Sequence, residues 1–216
     1  IAGSTEFGQV DPIEDLARMA GERGIHMHVD AAFGGFVLPF LKRKFKWDFS
    51  LPAVSSITID PHKMGLSTIP AGGLLFRGAE CLSALETETH YLTRARQASL
   101  TGTRSGAAAA ATYAVMMHLG REGFQKMVDY CMDLTAYLLA GARKMGIEPV
   151  IEPVMNVVAL SVPSPAAVRE ELMKLNWHVS MTREPNRALR LILMGHMSRE
   201  KIDLFLADLE AVLLKL

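Results

Sequence analysis

Read for the spacing of its apolar positions, the chain begins with a helix. Ile13, Leu16, Ala17 and Ala20 recur at helical intervals after Asp11-Pro12, a capping residue followed by a proline suited to the first helical position. Gly24 marks the stop. The period then changes: Ile25-His26-Met27-His28-Val29-Asp30 is short and alternating, and predicts a buried strand ending at Asp30. Val54 to Ile59 predicts a second strand, leading into Asp60-Pro61-His62-Lys63, and Gly72-Gly73-Leu74-Leu75-Phe76 a third. Strand, helix and strand at this spacing predict a βαβ unit in a mainly parallel sheet. Ligands of such sheets collect at the carboxyl ends of the strands, so Asp30 and Lys63 are expected on one rim.

Beyond Ser105 the helical period returns, over Gly106 to Leu119 and again over Gly123 to Met145. The first stretch is Ala-rich and reads as a buried helix. Glu148 to Leu160 carries strand-like runs broken by Pro149 and Pro153. Pro165 to Leu175 is helical, Ala188 to Met194 reads as a strand, and Ser198 caps a closing amphipathic helix to Leu216. This order predicts a small α/β domain over residues 148–216, distinct from 1–147. No internal repeat is visible.

Composition narrows the function. Half the residues are apolar, and 23 basic side chains balance 23 acidic ones, so nucleic acid is not expected as a partner. The short basic stretch Lys42-Arg43-Lys44-Phe45-Lys46 reads as a solvated loop. No apolar run reaches the roughly 18 residues needed to span a bilayer, and Cys81 and Cys131 are too few for a disulfide framework, which points to the cytoplasm. The chain opens on Ile1-Ala2-Gly3-Ser4-Thr5, with no initiator Met and in what reads as a core strand; an upstream segment is expected to be missing.

The candidate chemistry follows from the two strand ends. Asp30 puts a carboxylate beside the small Ala31 and Ala32, which let a flat ring approach; Lys63 puts a primary amine on the neighbouring exit loop, with His62 beside it as a phosphate donor and Gly65 leaving room. An amine for an aldehyde, an acid for a pyridine nitrogen, a phosphate donor and a ring wall are what pyridoxal 5′-phosphate (PLP) asks of a protein. Taken singly, each residue has an ordinary explanation as a turn or surface position. His26, His28, Asp30 and His62 make a metal set on paper, but His26 sits two residues behind His28 on the strand and one ion would struggle to reach all four. No metal is expected. Cys81, Cys131 and the thirteen methionines read as core positions.

The segments His28-Val29-Asp30-Ala31-Ala32-Phe33-Gly34-Gly35-Phe36 and Ser56-Ile57-Thr58-Ile59-Asp60-Pro61-His62-Lys63-Met64-Gly65 resemble group II PLP-dependent amino-acid decarboxylases. The resemblance continues through Gly102-Thr103-Arg104-Ser105-Gly106, Leu119-Gly120-Arg121-Glu122-Gly123 and Leu189-Arg190-Leu191-Ile192-Leu193-Met194-Gly195-His196, and is nearest to the archaeal L-tyrosine/L-aspartate group. It implies an α/β fold of the PLP-dependent transferase type (fold type I). Residues 1–147 would form the C-terminal part of the large PLP-binding domain, and 148–216 the small domain. Lys63 would carry the Schiff base, Asp30 would pair with the pyridinium, Ala32 would lie against the ring and His62 by the phosphate. Thr5 matches an element near the cofactor's 3′-oxygen. Thr103 matches a segment that reaches a phosphate across a dimer interface, and equally suits a helix cap.

The implied reaction releases CO2 from an L-amino acid: aspartate to β-alanine, serving coenzyme A synthesis, or tyrosine to tyramine, serving methanofuran synthesis. Tyr91, in the polar segment Glu86 to Gln97, is the candidate proton donor to Cα, and Arg190 a candidate for a substrate carboxylate. A homodimer sharing its active sites is expected from the family. Two features depart from it: Asp60 stands where some relatives have asparagine, and the stacking histidine and much of the phosphate cradle belong to a region upstream of this chain. A carbon–carbon lyase of the sphingosine-phosphate type, and a truncated chain inactive alone, are the alternative readings.

Overall fold

The computed structural model describes residues 1–91, 93, 95–99 and 104–216. The chain divides into two compact units, one formed by residues 1–2, 11–39 and 43–120, the other by 3–10, 40–42 and 121–216.

In the first unit, helix α1 (Ile13–Glu22) turns Ile13 and Ala17 into the core. Leu16 is 42% exposed, so the apolar stripe is narrower than its spacing suggested. Pro12 takes the cap position expected of Asp11 and contributes no side-chain bond. Strand β1 (Met27–Asp30) pairs in parallel with β2 (Val54–Ile59), setting His28 opposite Ser56 and Asp30 opposite Thr58. Strand β3 (Gly73–Phe76) returns antiparallel on the other side of β2. The link between β1 and β2 holds two 3-10 turns, Gly34–Phe36 and Leu38–Phe40, and no α-helix. Gly34-Gly35 and Pro39 explain this, since neither pair of glycines nor proline sustains an α-helical interior. The sheet thus has one parallel pair and one antiparallel edge strand, a common arrangement in large α/β folds.

A short helix α2 (Ala79–Ser83) and a two-stranded ribbon of β4 (Thr87–Glu88) and β5 (Arg96–Gln97) follow. Helix α3 (Ala107–Lys144) is broken at Gly120, whose φ of 54° and ψ of −169° lie where a side chain is poorly tolerated. The Ala-rich part before this break was expected to be buried. It is largely exposed instead, with Tyr113 at 68% and Met117 at 67%. Ser67 and Thr112 tie it to its own unit by a hydroxyl pair at 2.8 Å.

The second unit is built on β6 (Val157–Leu160), β7 (Ser180–Met181) and β8 (Leu189–Ile192), antiparallel in the order β6-β8-β7. Every residue of β6 is buried, which accounts for its unbroken apolar run. Helices α4 (Pro165–Lys174) and α5 (Arg199–Leu213) and the later part of α3 share one core with it, through Leu138, Leu160, Leu172, Leu189, Phe205 and Leu209. Ser198 caps α5 as expected, accepting from the Lys201 amide at 3.4 Å. Asn156 and Leu193 exchange two bonds, the Asn156 amide side chain donating to the Leu193 carbonyl (3.0 Å) and the Leu193 N–H to the Asn156 carbonyl (2.9 Å). Among the described residues, no helix is long and apolar enough to cross a membrane.

Candidate active site

Parallel pairing of β1 and β2 brings their exit loops side by side. The Ala31 N–H donates to the Thr58 carbonyl (2.9 Å) and the Asp60 N–H to the Ala32 carbonyl (3.2 Å), so the ladder continues one step beyond each strand. The loops leave the same rim, as the strand order required. Glycine makes this close approach possible. A Cβ on Gly34 would lie 2.0 Å from the Ala2 carbonyl oxygen, and one on Gly35 2.7 Å from Ile59 Cγ2.

Asp30 is exposed at the end of β1, and its Oδ1 accepts the Ala32 N–H at 3.0 Å. This local bond fixes the carboxylate and gives the small Ala32 a set place beside it. Behind Asp30 on the same face, the His28 ring spans the next strand, with Nδ1 2.8 Å from Ser56 Oγ and Nε2 3.1 Å from Thr58 Oγ1. Neither hydroxyl was singled out in the sequence. Period-two register alone puts them opposite His28 and Asp30. That face opens into a recess of about 590 Å³ bordered by Leu74, Phe76 and Cys81.

Lys63 lies in the tight turn that follows β2. Its N–H donates to the Asp60 carbonyl (3.0 Å), and its Nζ lies 3.0 Å from Asp60 Oδ2. The lysine side chain is 39% exposed and the aspartate 18%. His62 is held at the backbone of Ala71, with Nδ1 2.6 Å from the carbonyl oxygen and 3.2 Å from the amide nitrogen, while its Nε2 faces Asp60 Oδ2 at 4.0 Å. The turn ends in Leu66, whose φ of 57° is unusual for a leucine and marks local backbone strain.

Of the residues named from sequence, Asp30, Ala32, His62 and Lys63 therefore come together on one rim. Tyr91 lies between β4 and β5 and is 79% exposed. No hydrogen bond joins it to Lys63 or Asp30 among the described residues. Thr5 belongs to the second unit, where its carbonyl accepts from Arg190 Nη1 at 2.5 Å. Thr103 lies outside the described residues. The contact the sequence did not disclose is Asp60 with Lys63: the signal was present in their i, i+3 spacing, but only a turn of this shape brings the side chains together. Among the described residues, no three His, Cys, Asp or Glu side chains group as a metal site. The donor set instead suits PLP: a partly exposed primary amine, a carboxylate oriented at a strand end, and a small alanine beside that carboxylate.

Comparison with known proteins agrees with this chemistry. The family described as the pyridoxal-dependent decarboxylase conserved domain matches residues 1–162. A protein of Methanothrix thermoacetophila named "Probable L-tyrosine/L-aspartate decarboxylase" is 68% identical over 216 residues, covering all of this chain and 56% of that protein. One of Archaeoglobus fulgidus named "Probable L-aspartate decarboxylase" is 50% identical over 213 residues, covering 99% of this chain and 58% of its own length. The chain spans about half the length of the curated relatives it matches. Among solved structures, a sphingosine-1-phosphate lyase of Burkholderia pseudomallei superposes with a TM-score of 0.86 at 25% identity, over 98% of this chain and 50% of that one. The glutamate decarboxylase of Lactobacillus brevis reaches the same TM-score at 22% identity, over 99% and 54%. The fold is that of the type I PLP enzymes, and the chain belongs to the pyridoxal-dependent decarboxylase family.

Proposed function

We propose that the protein of which this chain is a part decarboxylates a small L-amino acid, converting L-aspartate to β-alanine, L-tyrosine to tyramine, or both, with release of CO2. The observation that carries this reading is the shared rim. The Asp30 carboxylate and the Lys63 amine leave adjacent parallel strands whose loops are bonded to each other. The names of the archaeal relatives supply the substrate pair. When bound, PLP supplies an electron sink for the charge left on Cα as CO2 departs. Lys63 would be its covalent anchor, Asp30 would keep a proton on the pyridine nitrogen, Ala32 would pack against the ring, and His62 would donate to the phosphate. Thr5 and Thr103 are assigned to cofactor contacts and Tyr91 to delivery of the proton to Cα, on the resemblance of their segments alone.

We also assign a homodimer that shares its active sites, in the cytoplasm. The exposed apolar surface of α3 around Tyr113, Met116 and Met117 supports the first, since such patches mark contact surfaces. The two free cysteines support the second. The products then feed coenzyme A synthesis from β-alanine or methanofuran synthesis from tyramine. Residues 1–147 and 148–216 are assigned to the large PLP-binding domain and the small domain.

The test is an absorbance spectrum after addition of PLP to the full-length protein and to its Lys63→Ala variant, followed by CO2 release from aspartate and from tyrosine. A band near ~420 nm that is lost in the variant, with release from either substrate, supports the proposal. A folded protein with no Lys63-dependent band refutes it. The lyase of equal TM-score gives a second reading. An aldehyde product without CO2 would favour carbon–carbon cleavage.

A further inference from the structure

Asp60 is the residue on this rim with no part in the chemistry so far. Its carboxylate is 18% exposed and lies 3.0 Å from Lys63 Nζ, with His62 Nε2 at 4.0 Å on the same oxygen. Three features fix it there. The Asp60 N–H donates to the Ala32 carbonyl, the Asp60 carbonyl accepts from the Lys63 N–H, and Gly72 leaves the carboxylate space, since a Cβ there would stand 3.3 Å from Asp60 Oδ1. The backbone is thus pinned both to the Asp30 loop and to Lys63 itself. An acid pinned in this way is placed to tether the lysine side chain, which is otherwise partly exposed.

We propose that Asp60 is a positioning residue that holds Lys63 Nζ at a fixed place on the rim whenever the amine is not covalently engaged. Lys63 would leave this contact to anchor the cofactor and return to it once a substrate amine had taken its place. The idea rests on Lys63 as the covalent anchor, and its test separates the two.

The experiment is competitive acetylation of the full-length protein at neutral pH and low salt, with labelling of each lysine read by mass spectrometry and the other lysines as internal standards. Without added cofactor, Lys63 labels slowly in the wild type. Asp60→Asn raises its labelling roughly three- to tenfold while the other lysines are unchanged, and Asp60→Glu restores slow labelling. High salt raises wild-type labelling and leaves the Asn variant unaffected, because a partly exposed pair is screened. Equal or slower labelling of Lys63 in a folded Asn variant overturns the proposal. Added PLP should protect Lys63 in both proteins. Loss of that protection alone would refute the anchor reading, and with it the role given to Asp60, whereas protection with unchanged labelling refutes only Asp60.

Discussion

Two three-stranded sheets, one in each unit, handle their faces in opposite ways. Strand β6 of the second unit is buried at all four positions, and the helices around it bring Leu138, Leu172, Phe205 and Leu209 into one apolar cluster. Strand β1 of the first unit buries only Val29 fully and leaves His28 and Asp30 exposed. Burial of a large aliphatic side chain contributes roughly 1.5–3 kcal/mol, so the second sheet is organised for stability. The first gives up that contribution along one face and keeps polar groups there, bonded to one another through His28, Ser56 and Thr58. The difference teaches where to look for chemistry: a rim that carries exposed acid and amine groups is one that packing does not explain.

If the division is correct, changes on the first rim should remove activity at little cost to folding. Lys63→Ala should lower turnover at least ~10⁴-fold, a barrier increase of about 5.5 kcal/mol, with the urea midpoint hardly moved. Asp30→Asn should cost about a thousandfold, roughly 4 kcal/mol, with the neutral side chain still able to accept the Ala32 N–H. A Lys63→Ala protein that unfolds, or one that keeps near-normal turnover, would break the comparison. Steady-state rates beside urea denaturation decide it.

The reverse should hold in the second unit. Leu138 is fully buried in the cluster, and Leu138→Ala should destabilise by about 3 kcal/mol, within the 2–5 kcal/mol seen for core leucines. Turnover of the remaining folded fraction should be unchanged. A loss of turnover per folded molecule would show that the core of the second unit also shapes the rim.

The sequence disclosed these regions unequally, for physical reasons. Strand β2 falls where its β-branched run placed it, Asp30 ends β1 and Lys63 follows β2 as expected, because period and flanking turns are local properties. The exposure of Ala107 to Leu119 was not legible: an apolar stretch records what a helix could bury, whereas burial needs neighbours. Strand β7 was missed because two residues carry no period. The break at Gly120 had its glycine as a signal, yet a glycine inside a helical pattern does not announce its φ. The Asp60–Lys63 pair depends on the fold of a single turn.

The two thiols offer the gentlest test of the contrast. Cys131 is fully buried in α3, with its Sγ 3.9 Å from Met127 Sδ, and burial pushes its thiol up to about 11 from 9.0. Cys81 is partly exposed in α2 of the first unit. A thiol reagent at pH 8 should therefore modify Cys81 and leave Cys131 untouched until the protein unfolds. The raised value also has a sign for stability. Below pH 9 both folded and unfolded chains hold the Cys131 proton, and its full contribution is present. As the pH climbs from 9 towards 11, only the unfolded chain releases the proton, and stability falls by at most about 2.7 kcal/mol. Urea midpoints across this range should decline in the wild type, and Cys131→Ala should remove that part of the slope even though it lowers stability at every pH. An unchanged slope in the variant would mean that water reaches the second unit's core, and that its sheet is no better sealed than the rim of the first.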